Sequence, residues 1–124
     1  MSDNQHAYEC RVTWERERRG RAESDGRGPI SVGAPPEFHG TDDVWSPEHL
    51  TAAAVNACVM LTFLAIAENS KVPVATYESV ASATLAKAEG RGMVITAVIV
   101  RPRITVPAGV DMAKVERVLH MAHK

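Results

Sequence analysis

Residues 50–67 form a nearly continuous apolar run, interrupted only by Thr51, Asn56 and Thr62. A helix apolar on almost every side has to be wrapped by something, either lipid or protein. By length alone this run could cross a membrane. The three polar residues within it, the large share of alanine and the lack of a second such segment favour protein instead, so no membrane partner is expected. The rest of the chain is therefore read as a shell around one buried helix. At 124 residues it is large enough for a single domain spanning 1–124, yet small enough that a second copy would help to cover apolar surface.

The boundaries of this helix are written locally. Ser46 can cap it, Pro47 suits its first position and Glu48 favours the positive end of its dipole. It is expected to run to about Ser70, where Lys71-Val72-Pro73-Val74 ends it, because proline disfavours helical geometry in the residue before it. Ahead of the helix, Tyr8, Cys10, Val12 and Trp14 alternate with Glu9, Arg11, Thr13 and Glu15, which predicts a strand with one buried face. Arg16-Glu17-Arg18-Arg19-Gly20-Arg21 turns the chain, a second strand covers Ala22 to Ser24, and Asp25-Gly26 leads to a third around Ile30 and Val32. Ala34 to Asp43 reads as a loop. Behind the helix, strands at Thr76 to Lys87 and Met93 to Val106 flank Glu89-Gly90-Arg91-Gly92, and the second, apolar on both faces, suits a central place in its sheet. Asp111 caps a last helix in which Val115, Val118, Leu119 and Ala122 recur at helical spacing. Three strands, a long central buried helix, two strands and a C-terminal helix make an α+β fold.

Charge narrows the partners. Fourteen basic and fifteen acidic side chains leave a formal net charge of −1, which gives a nucleic acid or an anionic membrane nothing to attract. The polar start, Met1-Ser2-Asp3-Asn4-Gln5, lacks the basic and apolar parts of a secretory signal, so a cytoplasmic location is expected. In such a compartment Cys10 and Cys58 are thiols rather than a structural disulfide, and their spacing matches no metal site. His120 and His123 lie three apart with no further ligand spaced beside them, and read as surface histidines, so no metal is expected. His39 and His49 carry no signal of their own, while Trp14 and Trp45 read as core or interface aromatics.

Cys10 falls on the apolar face of its strand and reads as a packing residue. Cys58, in the middle of the long helix, is the candidate for thiol chemistry. Mid-helix it gains nothing from the helix N-terminus, and a thiolate there needs a cation from elsewhere. The cluster Arg16, Arg18, Arg19 and Arg21 can supply one, and Glu48 can hold a guanidinium in a fixed orientation. Ten residues separate Glu48 from Cys58, which is ~15 Å of helical rise, so the two cannot touch within one chain. They can meet if two copies of the helix cross antiparallel near Ala53, where Ala52, Ala53 and Ala54 allow close approach, and this geometry points to a symmetric dimer.

Ser46-Pro47-Glu48-His49-Leu50, leading into Ala52-Ala53-Ala54 and Ala57-Cys58, resembles the signature helix of the OsmC/Ohr family of organic-hydroperoxide reductases. Gly20-Arg21-Ala22 with Ser24-Asp25-Gly26, and Pro36-Glu37-Phe38 with Gly40, are similar to that family's N-terminal meander and loop, so the likeness covers essentially the whole chain. The resemblance implies an intertwined homodimer in which Cys58 is the peroxidatic cysteine, activated across the interface by Glu48 and an arginine. Arg18 fits that arginine best, with Arg16, Arg19 and Arg21 as alternatives. It further implies a thiol-dependent peroxidase of oxidative-stress defence, acting on a small-molecule hydroperoxide without a cofactor and reduced by a thiol or a lipoyl-type dithiol. Met60, Leu61 and Phe63 near Cys58 would favour organic peroxides. Family members carry a resolving cysteine beyond the last helix, about where this sequence reads His120-Met121-Ala122-His123-Lys124. Either a C-terminal segment is lacking or the protein works without the usual disulfide. Two other readings are a non-catalytic dimeric binding or stress-associated protein of the same fold, and a small-molecule thiol sensor.

Overall fold

A computed structural model describes residues 5–122 of the chain. It divides into two compact units, Met1–Leu50 and Thr51–Lys124.

The first unit is a meander of three antiparallel strands in the order β1-β2-β3, with β1 at Arg11–Arg16, β2 at Arg19–Ser24 and β3 at Arg27–Gly33. Glu17 and Arg18 form the first turn, and Gly26 takes φ 74° in the second, a left-handed conformation that glycine adopts without penalty. The register pairs Val12 with Ala22 and Trp14 with Gly20, and then Ala22 with Ile30 and Gly20 with Val32. These residues share one face of the sheet. The expected first strand is corrected in two ways. Residues 7–10 precede it without regular structure, and its apolar side is open, with Val12 66% and Trp14 75% exposed. Cys10, expected to be buried, is exposed. Alternation marks a face that is apolar, and β1 is an edge strand whose apolar side chains lie exposed among the described residues.

The loop after β3 contains a short 3-10 turn at Pro36–Phe38. It closes through the Ala34 carbonyl, which accepts the Thr41 N–H at 3.1 Å. A side chain at Gly40 would collide with that carbonyl, so the loop requires glycine there. Trp45 then bridges to Val32, with the Gly33 N–H donating to its carbonyl at 2.9 Å. This tie anchors the entrance of α1, Pro47–Asn69.

In the second unit, α1 continues, followed by the antiparallel pair β4 (Thr76–Ala88) and β5 (Gly92–Thr105) and by α2 (Met112–Ala122). β5 pairs with β4 alone among the described residues, so its expected central place in a sheet is not met within this chain. Asp111 caps α2 as expected, its Oδ1 accepting the Ala113 N–H at 3.0 Å. Phe63, Ala67, Val72, Val115, Val118 and Ala122 form the core, with Leu64, Ile66, Tyr77 and Ile104 packed against it. The helix expected to be wrapped all round is buried in this chain along one stripe only, at Val59, Phe63 and Ala67. Ala54, Ala57, Cys58, Leu61 and Ala65 make an exposed stripe on the opposite side. α1 is also the one helix among the described residues long and apolar enough to cross a membrane. Its midpoint is tied to the sheet, since Asn56 Nδ2 donates to the Ser79 carbonyl at 3.2 Å and the Ser79 hydroxyl donates to Asn56 Oδ1.

α1 stops at Asn69 for a local reason. The Val72 N–H donates to the Ala67 carbonyl at 2.8 Å and the Lys71 N–H to the Glu68 carbonyl at 3.1 Å, with Lys71 at φ 57°. This is a Schellman closure, sealed by Val72 entering the core, with lysine where glycine is favoured. Lys71→Gly is therefore expected to raise stability by about 1 kcal/mol, read as a higher urea midpoint at unchanged slope. A lower midpoint would show that the left-handed geometry costs Lys71 nothing.

Candidate active site

The first turn of α1 is fixed by its cap. Ser46, 1% exposed, accepts the His49 N–H on Oγ at 3.1 Å, as a serine N-cap should. Pro47 and Glu48 occupy the first two helical positions. Glu48 is half-buried, and its Oε1 is buried with no hydrogen-bond partner among the described residues. A carboxylate oxygen shut away from water without a donor is costly, and an N–H or O–H donor, charged or neutral, would relieve it.

The hairpin distributes its arginines unequally. Arg19 Nη1 lies 3.3 Å from Asp43 Oδ2. The Thr41 hydroxyl, ahead of the Arg19 guanidinium, holds the Asp43 carboxyl below its ordinary range against an opposing effect of burial. Arg21 faces two acids, with Nη1 3.5 Å from Glu15 and Nε 3.6 Å from Glu23. Arg16 and Arg18 meet no carboxylate among the described residues. Of these two, Arg18 lines a groove of about 460 Å³ together with Val12, Trp14, Val32 and Pro47. The Trp14 indole N–H donates to the Glu17 carbonyl at 2.8 Å and the Ala34 N–H to the Arg18 carbonyl at 3.1 Å, so the turn carrying Arg18 is held from both sides. Glu17 sits at φ 48° within it.

Cys58 is a free, exposed thiol on the alanine-rich stripe of α1. It and Glu48 share the helix, and ~15 Å of rise keeps them apart within one chain. Of the three apolar neighbours expected to favour organic peroxides, Phe63 is excluded, because it is 0% exposed in the core. Leu61 is 60% exposed and Met60 is half-buried. Among the described residues no three His, Cys, Asp or Glu side chains converge as metal ligands, and His123 lies outside those residues.

One residue carries a role its sequence position did not announce. His49 Nδ1 accepts the Ser46 N–H at 3.4 Å and lies 2.6 Å from Ser46 Oγ, while its ring meets Trp45 edge-on at 6.4 Å. The signal was present as a serine followed three residues later by an acceptor, a capping box in which histidine replaces the usual Glu or Gln.

A family model described as OsmC-like protein matches residues 40–124. The fold is shared with an OsmC-like protein of unknown function from Vibrio cholerae O1 biovar eltor, at 26% identity and a TM-score of 0.87 over 96% of this chain and 88% of that one. An organic hydroperoxide resistance protein from Elizabethkingia anophelis matches at 22% identity and TM-score 0.79, covering 98% of this chain and 84% of the other. One from Legionella pneumophila matches at 22% and 0.76, covering 96% and 85%. Comparison with curated proteins returns no match.

Proposed function

From the premise that this chain belongs to the OsmC-like family, we propose that it is a thiol-dependent peroxidase that reduces organic hydroperoxides to alcohols at Cys58. The observation that carries this reading is a complementary pair left open in the single chain. Among the described residues, Glu48 has a buried oxygen that meets no donor and Arg18 a guanidinium that meets no carboxylate. Joining them beside Cys58 takes a second copy, because ~15 Å of helical rise separates Glu48 from Cys58 within one. The exposed apolar residues support such a homodimer, with Trp14, Val12 and Ile30 open on the first unit and Leu61, Val80 and Ile99 open on the second.

The chemistry needs no cofactor. The Cys58 thiolate attacks the distal oxygen of the hydroperoxide, an S–O bond forms as the O–O bond breaks, and the alkoxide leaves and takes a proton to become the alcohol. Sulfur is oxidised to a sulfenic acid and the peroxide is reduced. Arg18 stabilises first the thiolate and then the charge on the departing oxygen, and Glu48 orients its planar fork. An external thiol or a lipoyl-type dithiol attacks the sulfenic sulfur and expels water, and a second thiol releases the enzyme from the mixed disulfide. A reducing cytoplasm suits this cycle. Hydroperoxide resistance in the named neighbours accords with a role in oxidative stress.

The arginine assignment is tested by single replacements. Arg18→Ala is expected to slow Cys58 oxidation by cumene hydroperoxide on the order of 10²-fold. Arg19→Ala, which removes a partly exposed ion pair, should leave it within about threefold. The reverse ranking would reassign the activating cation.

A further inference from the structure

We infer that His49 is a positioning residue for Glu48, closing a capping box that fixes the first turn of α1 without adding a second carboxylate to it. The inference rests on the reading of Glu48 as the carboxylate that receives the activating arginine. Ser46 and His49 bracket Pro47 and Glu48 and bond reciprocally. The His49 N–H donates to Ser46 Oγ at 3.1 Å, and the Ser46 N–H donates to His49 Nδ1 at 3.4 Å. The Ser46 hydroxyl lies 2.6 Å from the same Nδ1, so the N–H and the hydroxyl of Ser46 both converge on that nitrogen. With the ring in place Ser46 is 1% exposed, so the ring covers the cap as well as giving its N–H an acceptor. Trp45, anchored to β3 through its carbonyl, stands edge-on to the imidazole at an interplanar angle of 81° and limits its rotation. The direction in which Glu48 leaves the helix is thus set by the residues on either side of it.

The choice of histidine follows from charge. Glutamate is a usual partner in a capping box and is also favoured by the helix dipole. At position 49 it would stand beside Glu48, the only acidic residue of the first turn, and compete for the same guanidinium. An imidazole nitrogen supplies the acceptor without a carboxylate and leaves Glu48 without a rival.

Four chains of full length separate cap from charge: native, His49→Ala, His49→Gln and His49→Glu. Each is compared by the rate of single-oxygen gain at Cys58 under cumene hydroperoxide, by amide exchange at Ser46 and His49, and by thermal melting. His49→Gln is expected to keep slow exchange and a rate within about twofold of native, since glutamine completes the box. His49→Ala should exchange faster and react about fivefold more slowly. His49→Glu should keep slow exchange and an unchanged melt yet react about fivefold more slowly, an effect that a purely structural cap would not produce. Equal rates in all four chains, or a His49→Glu rate equal to that of His49→Gln, would overturn the inference while leaving the peroxidase reading intact. No oxygen gain in the native chain would overturn both.

Discussion

Cys58→Ser is expected to reduce hydroperoxide-dependent thiol consumption to the uncatalysed background, a loss on the order of 10³-fold or more. A serine hydroxyl is not ionised at neutral pH and its oxygen cannot be oxidised as sulfur can, so both the nucleophile and the sulfenic intermediate vanish together. Because Cys58 is exposed and outside the core, the serine variant should fold as the native chain does. Cys10→Ser is the necessary companion. Cys10 is also a free, exposed thiol, and thiols of that kind react with peroxides slowly on their own. The Cys10 variant is expected to retain at least about half of native turnover, because no guanidinium is assigned to that thiol. The comparison is made by coupled assay under saturating dithiol. Equal loss in both variants would point to a disulfide-linked pair rather than a single peroxidatic thiol.

The second large effect concerns the scaffold. Phe63→Ala should lower the unfolding free energy by about 3–5 kcal/mol. Phe63 is 0% exposed and packs with Val115, Val118 and Ala122 of α2, and its ring lies 5.7 Å from that of Tyr77 on β4. It therefore joins both layers of the second unit to α1, and truncation leaves a cavity between elements that cannot collapse independently. Phe63→Leu, closer in volume, should cost less than half as much. Urea unfolding followed by far-ultraviolet dichroism reads the difference, and a change under about 1 kcal/mol for the alanine variant would show that the core is organised around another residue.

Where local chemistry decides structure, the sequence was readable. Ser46-Pro47-Glu48 starts α1, Asp25-Gly26 and the Glu89 to Gly92 segment turn their hairpins, and Asp111 caps α2, all as side-chain hydrogen bonding and glycine geometry require. What depends on distant neighbours was not. α1 is apolar on both sides, so periodicity could not tell the core stripe of Val59, Phe63 and Ala67 from the exposed stripe of Ala57, Cys58 and Leu61. That ambiguity misplaced Phe63 beside the thiol. The strict alternation of β1 marked a face that is apolar, and whether it is covered depends on what lies opposite, which alternation does not encode. Cys10 was misread as buried for the same reason. Four arginines of one type cannot be ranked from their spacing. Arg19 meets Asp43, 24 residues away, and Arg21 meets Glu15 and Glu23, pairings that spacing does not encode. Lys71 ending α1 in a left-handed conformation was hidden because lysine carries no such preference, and only the bonds to Ala67 and Glu68 reveal it.

Where the first oxygen goes decides whether Cys58 is the peroxidatic thiol. The native chain, fully reduced, is exposed briefly to one equivalent of cumene hydroperoxide, the sulfenic acid is trapped, and the peptides containing Cys10 and Cys58 are weighed separately. One oxygen is expected on Cys58, gained within seconds, with Cys10 unmodified. An oxygen on Cys10 first, or none on either thiol in a folded chain, would contradict that role for Cys58.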